Sequence, residues 1–113
     1  MSQITTHILD TARGCPAAGV SISLHCESEG ESQIIGSGKT NSDGRISDLL
    51  AADKVLPAGS YRMHFAVAPY FEQAGDTVFY PWADVVFNVD DSGTHYHIPL
   101  LLAPFGYSTY RGS

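Results

Sequence analysis

His95 and His97 stand two positions apart near the C-terminus and carry groups suited to acid–base chemistry. Residues i and i+2 of a strand project from the same face, so both imidazoles would point the same way. An imidazole titrates near neutrality, which suits a general base or a substrate ligand. The alternative, favoured by the residues alone, is a pair of partly exposed surface histidines. A metal site is not expected, because no third ligand stands at an obvious spacing.

Two residues far from this pair in sequence could join such a site. His7 lies in a predicted first strand, and if Ile8 points into the core, His7 points away from it. Arg45 follows a turn over residues 41–44 and would begin a new strand. A guanidinium can form two parallel hydrogen bonds to carbonyl-type oxygens. An ordinary surface histidine and a solvated surface charge are the alternatives.

The C-terminal tail is dense in hydrogen-bonding groups. Alternation places Ser108 and Tyr110 on one face, Arg111 adds a permanent charge, and Ser113 adds the α-carboxylate. A disordered polar end is the alternative. Tyr110 argues against full solvation, because an aromatic side chain buries a large area.

The chain has no recognisable nucleophile motif. Gly-x-Ser-x-Gly is absent, and neither Cys15 nor Cys26 lies in a catalytic Cys-His pattern. The glycine-rich residues 36–40 lack the spacing of a phosphate-binding loop and are interpreted as a β-turn between strands. If the chain is an enzyme, water is the expected nucleophile.

Short segments of alternating polar and apolar residues predict strands with one buried face. They cover residues 20–26, 61–67, 85–89 and 96–102, with turn-forming residues between them. One short helix is predicted over residues 69–74, with Gly75 able to end it. Regular short strands with few helices are typical of an antiparallel β-sandwich, here a single domain over residues 1–113.

Pro99 interrupts the last apolar segment. Proline cannot donate to a strand ladder, so this strand should be an edge or be locally interrupted. An apolar edge strand is an aggregation hazard unless another chain covers it. A homo-oligomer is therefore expected.

The composition excludes several classes of partner. The chain has 113 residues, a net charge of −6 and only six lysines and arginines, which argues against nucleic acid and anionic membranes. No apolar run can span a bilayer, and the N-terminus lacks a signal-peptide pattern. Two cysteines are too few for a disulfide framework. We expect a cytoplasmic protein.

Four blocks of the sequence resemble the 5-hydroxyisourate hydrolases, in order and across nearly the whole chain. They are residues 6–10 with 14–20, residues 40–45, residues 70–81, and residues 95–113, which end in Tyr-Arg-Gly-Ser. The resemblance implies a transthyretin-like, eight-stranded antiparallel β-sandwich with one short helix. It further implies a homotetramer, a dimer of dimers, with sites in the channel where the dimers face each other.

The resemblance also implies a reaction and its residues. The reaction is hydrolytic ring opening of 5-hydroxyisourate to 2-oxo-4-hydroxy-4-carboxy-5-ureidoimidazoline in urate catabolism, without a cofactor. Proton abstraction is assigned to His97 in preference to His7, and oxyanion and substrate binding to Arg45. The full set of expected site residues comprises catalytic His7, Arg45, His97 and Ser113, with His7, Arg45, Ser108, Tyr110, Arg111 and Gly112 binding substrate.

Two other functions remain open. One is a non-catalytic, transthyretin-like carrier of a small ligand, and the other is a sandwich module that only mediates assembly. Transthyretin proper shares the fold but lacks the histidine–arginine–histidine set and the Tyr-Arg-Gly-Ser ending. Their presence here favours the enzyme.

Overall fold

Nine strands and one helix make up the part of the chain that the computed structural model describes, residues 2–28 and 30–112. In chain order they are β1 (Ile4–Asp10), β2 (Cys15–Pro16), β3 (Ser21–Ser28), β4 (Glu31–Lys39), β5 (Arg45–Ile46), β6 (Gly59–Ala66), α1 (Ala68–Ala74), β7 (Ala83–Val89), β8 (Tyr96–Ala103) and β9 (Gly106–Thr109).

The strands form two sheets that enclose one apolar core. One sheet has the order β2-β1-β8-β9, with β5 also paired to β1, and the other has the order β4-β3-β6-β7. Alternate residues of both sheets are fully buried between them, including Ile8, Leu100, Met63 and Phe65. The predicted β-sandwich is confirmed. No helix of the described residues is long and apolar enough to cross a membrane.

Two details differ from the expected eight antiparallel strands. β1 and β8 run parallel, from Ile4 beside Tyr96 to Asp10 beside Leu102. Parallel strands need a long connection, and here most of the chain lies between them. The described residues form nine strands, of which two, Cys15–Pro16 and Arg45–Ile46, are two-residue pairings with β1.

The turn expected over residues 36–40 is wrong, since Gly36 and Gly38 lie within β4 and pair with β3. Gly36 instead allows the loop that contains Leu49 to pass close to the β4 backbone. A Cβ atom there would collide with the carbonyl oxygen of Leu49, so only glycine lets that loop cross the strand.

Pro99 does not lie in an edge strand, because β8 sits between β1 and β9. Its ladder is interrupted instead. Pairing with β9 begins at Leu100 beside Thr109, and beyond it a single bridge joins His97 to Gly112. Pro99, which has no N–H to donate, thus lies just before the point where pairing with β9 begins. This confirms the prediction that the strand is locally interrupted.

The helix α1 begins and ends close to the predicted residues. Pro69 lies in its first turn, and Gly75 ends it with a left-handed φ of 79°. The buried Asp10 connects the helix to β1, because the Tyr70 hydroxyl donates to its Oδ2 at 2.6 Å and the Arg13 guanidinium does so at 3.0 Å. Burial raises the pKa of Asp10, but these hydrogen bonds and the Arg13 charge outweigh burial and leave it below its ordinary value.

Candidate active site

The outer face of β1 and β8 carries the candidate residues. In the parallel register Thr5 lies beside His97, and on the other side of β1 Arg45 pairs with His7. Residues paired across neighbouring strands share a face, and Thr5 and His7 alternate with the core residues Ile4 and Ile8. His7 therefore points away from the core, as predicted, on the face that holds Arg45 and His97.

A tight turn places Arg45 at the start of β5. The side-chain oxygen of Asn41 accepts hydrogen bonds from the backbone N–H groups of Asp43 and Arg45, at 2.9 and 3.0 Å. Gly44 has a φ of 73°, and its carbonyl accepts from the N–H of Ile8 at 2.8 Å. A Cβ atom at Gly44 would collide with the Ile8 carbonyl oxygen, so glycine is required on both grounds.

The ring of His97 is held between β1 and the C-terminal tail. Its Nδ1 lies 2.8 Å from Oγ1 of Thr5. The backbone N–H of Gly112 donates to the His97 carbonyl at 2.8 Å, and a Cβ atom at Gly112 would stand 2.5 Å from Cδ2 of the ring. The tail thus folds against the imidazole, and glycine is the residue that permits this contact.

The surroundings of His97 favour its neutral form. Burial lowers the pKa of this half-buried imidazole, and the positive charges of Arg45, His95 and His7 lower it further. A histidine that is neutral near pH 7 can accept a proton, as a general base must.

Arg45, His95 and His97 line an open depression of about 270 Å³, slightly below the roughly 300–1,000 Å³ of small-molecule sites. His7 is not among its lining residues. The lining residues are Thr5, Thr6, Arg45, Ile46, Ser47, His95 and His97. Among the described residues no group of three metal-ligating side chains is placed to hold an ion.

The predicted tail residues separate into different places. Gly112 contacts His97, whereas the Arg111 guanidinium lies 4.5 Å from the ring centroid of Tyr96. Tyr110 and Arg111 line a second, mainly apolar depression of about 230 Å³ at the open edge between β7 and β9. Ser108 is exposed opposite Leu101, and β9 ends at Thr109, so the alternation that linked Ser108 to Tyr110 does not continue. Ser113 lies outside the described residues.

The site prediction from sequence missed Thr5, and it left His95 out of the final set although the pair His95 and His97 had been singled out. The Thr5 hydroxyl lies 2.8 Å from Nε2 of His95 as well as from His97, and the two imidazoles are stacked with centroids 6.4 Å apart. This confirms that the two histidines share a face. The available signal for Thr5 was its position two residues before His7, on the same face of β1.

Comparisons with known proteins agree with this fold and site. The family model "HIUase/Transthyretin family" matches residues 4–112. The 5-hydroxyisourate hydrolase of Deinococcus radiodurans is 46% identical over 114 residues, covering 97% of this chain and 95% of that protein.

Two solved structures share the architecture. The Klebsiella pneumoniae 5-hydroxyisourate hydrolase is 42% identical with a TM-score of 0.81, covering 97% of this chain and 98% of its own. Sea bream transthyretin in complex with thyroxine is 33% identical with a TM-score of 0.91, covering 98% and 95%. Because an enzyme and a hormone-binding protein both match, the fold alone does not distinguish their functions. The family match over nearly the whole length shows that this chain belongs to the HIUase/Transthyretin family.

Proposed function

We propose that this chain is a 5-hydroxyisourate hydrolase, which opens the six-membered ring of its substrate to give 2-oxo-4-hydroxy-4-carboxy-5-ureidoimidazoline in urate breakdown. One observation carries the proposal: a half-buried imidazole, His97, kept neutral on a face shared with His7 and Arg45. The relatives named as 5-hydroxyisourate hydrolases support the substrate.

Water is the nucleophile in the proposed reaction. The Nδ1 atom of His97 is occupied by Thr5, so Nε2 is the nitrogen left to take a proton from water. The water oxygen bonds to the ring carbonyl carbon, the carbon–nitrogen bond then breaks, and the proton passes to the departing nitrogen. His7, on the same face, is the partner of His97 in this proposal and acts as an orienting group or as an acid.

Arg45 binds the substrate oxygens and the negative charge that grows on the attacked carbonyl. Its guanidinium presents a planar set of donors, and the turn at Asn41 fixes the backbone from which this side chain extends. Ser108, Tyr110, Arg111, Gly112 and Ser113 complete the proposed site, with Gly112 setting the position of the His97 ring.

The proposed assembly is a homotetramer, a dimer of dimers. Phe79 and Phe105 are 61% and 66% exposed and contact each other, with centroids 5.9 Å apart. An exposed aromatic cluster of this kind fits a covered interface. The depression at His97 is open, and Tyr110 and Arg111 lie away from it in their own chain, which fits a site completed by a second copy.

We also place the protein in the cytoplasm. Cys15 is exposed and Cys26 half-buried, and both are free thiols. Free thiols fit a reducing compartment.

A second candidate function is a small-ligand carrier, favoured by the likeness to sea bream transthyretin bound to thyroxine. Mixing the protein with freshly generated 5-hydroxyisourate and following its ultraviolet absorbance distinguishes the two. The hydrolase makes the decay faster than the spontaneous reaction. A carrier binds ligand and leaves the decay rate unchanged, and that result would contradict the proposed enzyme.

A further inference from the structure

We propose that Thr5 is a positioning residue that selects the tautomer of His97 and makes that tautomer depend on the protonation of His95. The inference rests on the proposed function only in taking His97 as the base. The hydrogen bonds themselves are independent of any substrate.

The geometry places one hydroxyl between two imidazoles. Oγ1 of Thr5 lies 2.8 Å from Nδ1 of His97 and 2.8 Å from Nε2 of His95. Both distances are those of ordinary hydrogen bonds. Thr5 is only 8% exposed, so its hydroxyl has little access to water as a substitute partner.

A hydroxyl has one hydrogen to donate, and this limits the arrangements of the two neutral rings. If Thr5 donates to Nε2 of His95, it must accept from Nδ1–H of His97, and Nε2 of His97 then carries the free lone pair. If Thr5 donates to Nδ1 of His97, the proton of that ring sits on Nε2, where it blocks proton abstraction from water. The first arrangement is the competent one.

Protonation of His95 excludes the competent arrangement. The imidazolium carries a hydrogen on Nε2 and donates it to Thr5. Nδ1 of His97 is then the acceptor within reach of the hydroxyl hydrogen, which would otherwise lose its partner at a nearly buried position. His97 consequently moves its own proton to Nε2 and loses its function as a base.

The charged groups around the pair come from several elements. His7 on β1 and Arg45 on β5 act on His97, and Lys54 shares a shallow groove with His95. Arg111 of the tail lies over Tyr96 instead. The charges of Arg45 and His7 lower the pKa of His97, whereas only Thr5 bonds to a specific nitrogen of each ring.

The test is imidazole nitrogen NMR of the full chain, combined with kinetics. At alkaline pH the wild type should show His97 protonated on Nδ1. Thr5→Val keeps the shape of the side chain but removes the hydroxyl, and should lose that tautomer preference. Its kcat should fall by about 10–100-fold, as for other groups that fix a histidine tautomer, with KM little changed. Thr5→Ser should restore both.

The matched control is Thr6→Val, because Thr6 is the next residue of β1 and donates to the carbonyl of Ile98 on the core side. Its His97 tautomer should match that of the wild type even if the variant is less stable. The inference is overturned if Thr5→Val keeps the Nδ1-protonated form, whatever its activity, or if the wild-type tautomer ratio stays constant while His95 titrates. Wild-type protein that fails to accelerate substrate decay would contradict the proposed function. The NMR measurement would then still decide whether Thr5 sets the tautomer of His97.

Discussion

The His97 imidazole is constrained from two directions, by the Thr5 hydroxyl at Nδ1 and by Gly112 against Cδ2. Neither neighbour has a titratable side chain. Both control where the ring points, and a displacement of about 1 Å at a reacting group can cost on the order of 100-fold in rate. Small residues therefore matter here as much as charged ones.

Gly112→Ala tests the contact with the tail. The added methyl group would collide with the ring, so His97 should rotate or the tail should detach. We expect kcat to fall by about 100-fold while circular dichroism shows an unchanged fold, since Gly112 forms only an isolated bridge. Gly106→Ala is the control, because a Cβ atom at Gly106 meets nothing within 4 Å. Equal activity in the two variants would show that the contact has no role.

His97→Asn tests whether His97 is the base. Asparagine keeps similar size and some hydrogen bonding but cannot accept the proton, so kcat should fall by about 10²–10⁴-fold with a smaller change in KM. Because the pKa of His97 is lowered, wild-type kcat/KM should rise with pH through a midpoint below 6.5. That rise should disappear in the variant. An unchanged profile would move the base to His7.

At the scale of elements, the buried Asp10 joins the end of β1 to the helix through Tyr70 and to the following turn through Arg13. Arg13 also reaches Asp76 beyond the helix, at 2.7 Å. One carboxylate thus fixes three segments of the chain.

Asp10→Asn should lower the free energy of unfolding by about 2 kcal/mol at neutral pH, the scale of a hydrogen bond to a charged group. The folded-state pKa of Asp10 lies below its ordinary value of 3.8, so this stabilisation is present above pH 3.8 and is lost as the pH falls below it. Urea unfolding at several pH values measures the effect, with the exposed Asp53→Asn as control. A difference that persists unchanged well below pH 3.8 would contradict the role of the ionised form.

The strands also show which parts of the fold a local sequence pattern can predict. Alternation identified β3, β6, β7 and β8, because each has one buried face. It missed β4, where Gly36 and Gly38 look like a turn but permit close packing. The grouping of His7, Arg45 and His97 depends on pairing between distant strands, which no local pattern encodes. The resemblance to a family supplied it, whereas the contact of Thr5 with the His97 ring is seen only in the structure.

At the scale of the whole molecule, we expect a native mass of about four chains in sedimentation at micromolar concentration. The exposed Phe79 and Phe105 at one end of the sandwich leave apolar area that a second copy would cover. Phe79→Glu should reduce the mass, because it places a charge in that interface. Ile34→Glu is a matched control, because Ile34 is equally exposed at 61%. Ile34 lies on the edge strand β4, whereas Phe79 precedes β7, the strand at the other edge of that sheet. A wild-type monomer would rule out both the tetramer and a shared site.

The parallel pairing of β1 and β8 has a consequence for how the protein folds during its synthesis. Thr5 and His97 are 92 positions apart, and Gly112 reaches His97 through an isolated bridge beyond β9. Contacts of such separation make folding slow, because the chain must first close a long loop. On the ribosome His7 emerges long before His97 and Gly112, which are made only after the intervening sequence. The face that carries His7, Arg45 and His97 can therefore assemble only after Gly112 has been made.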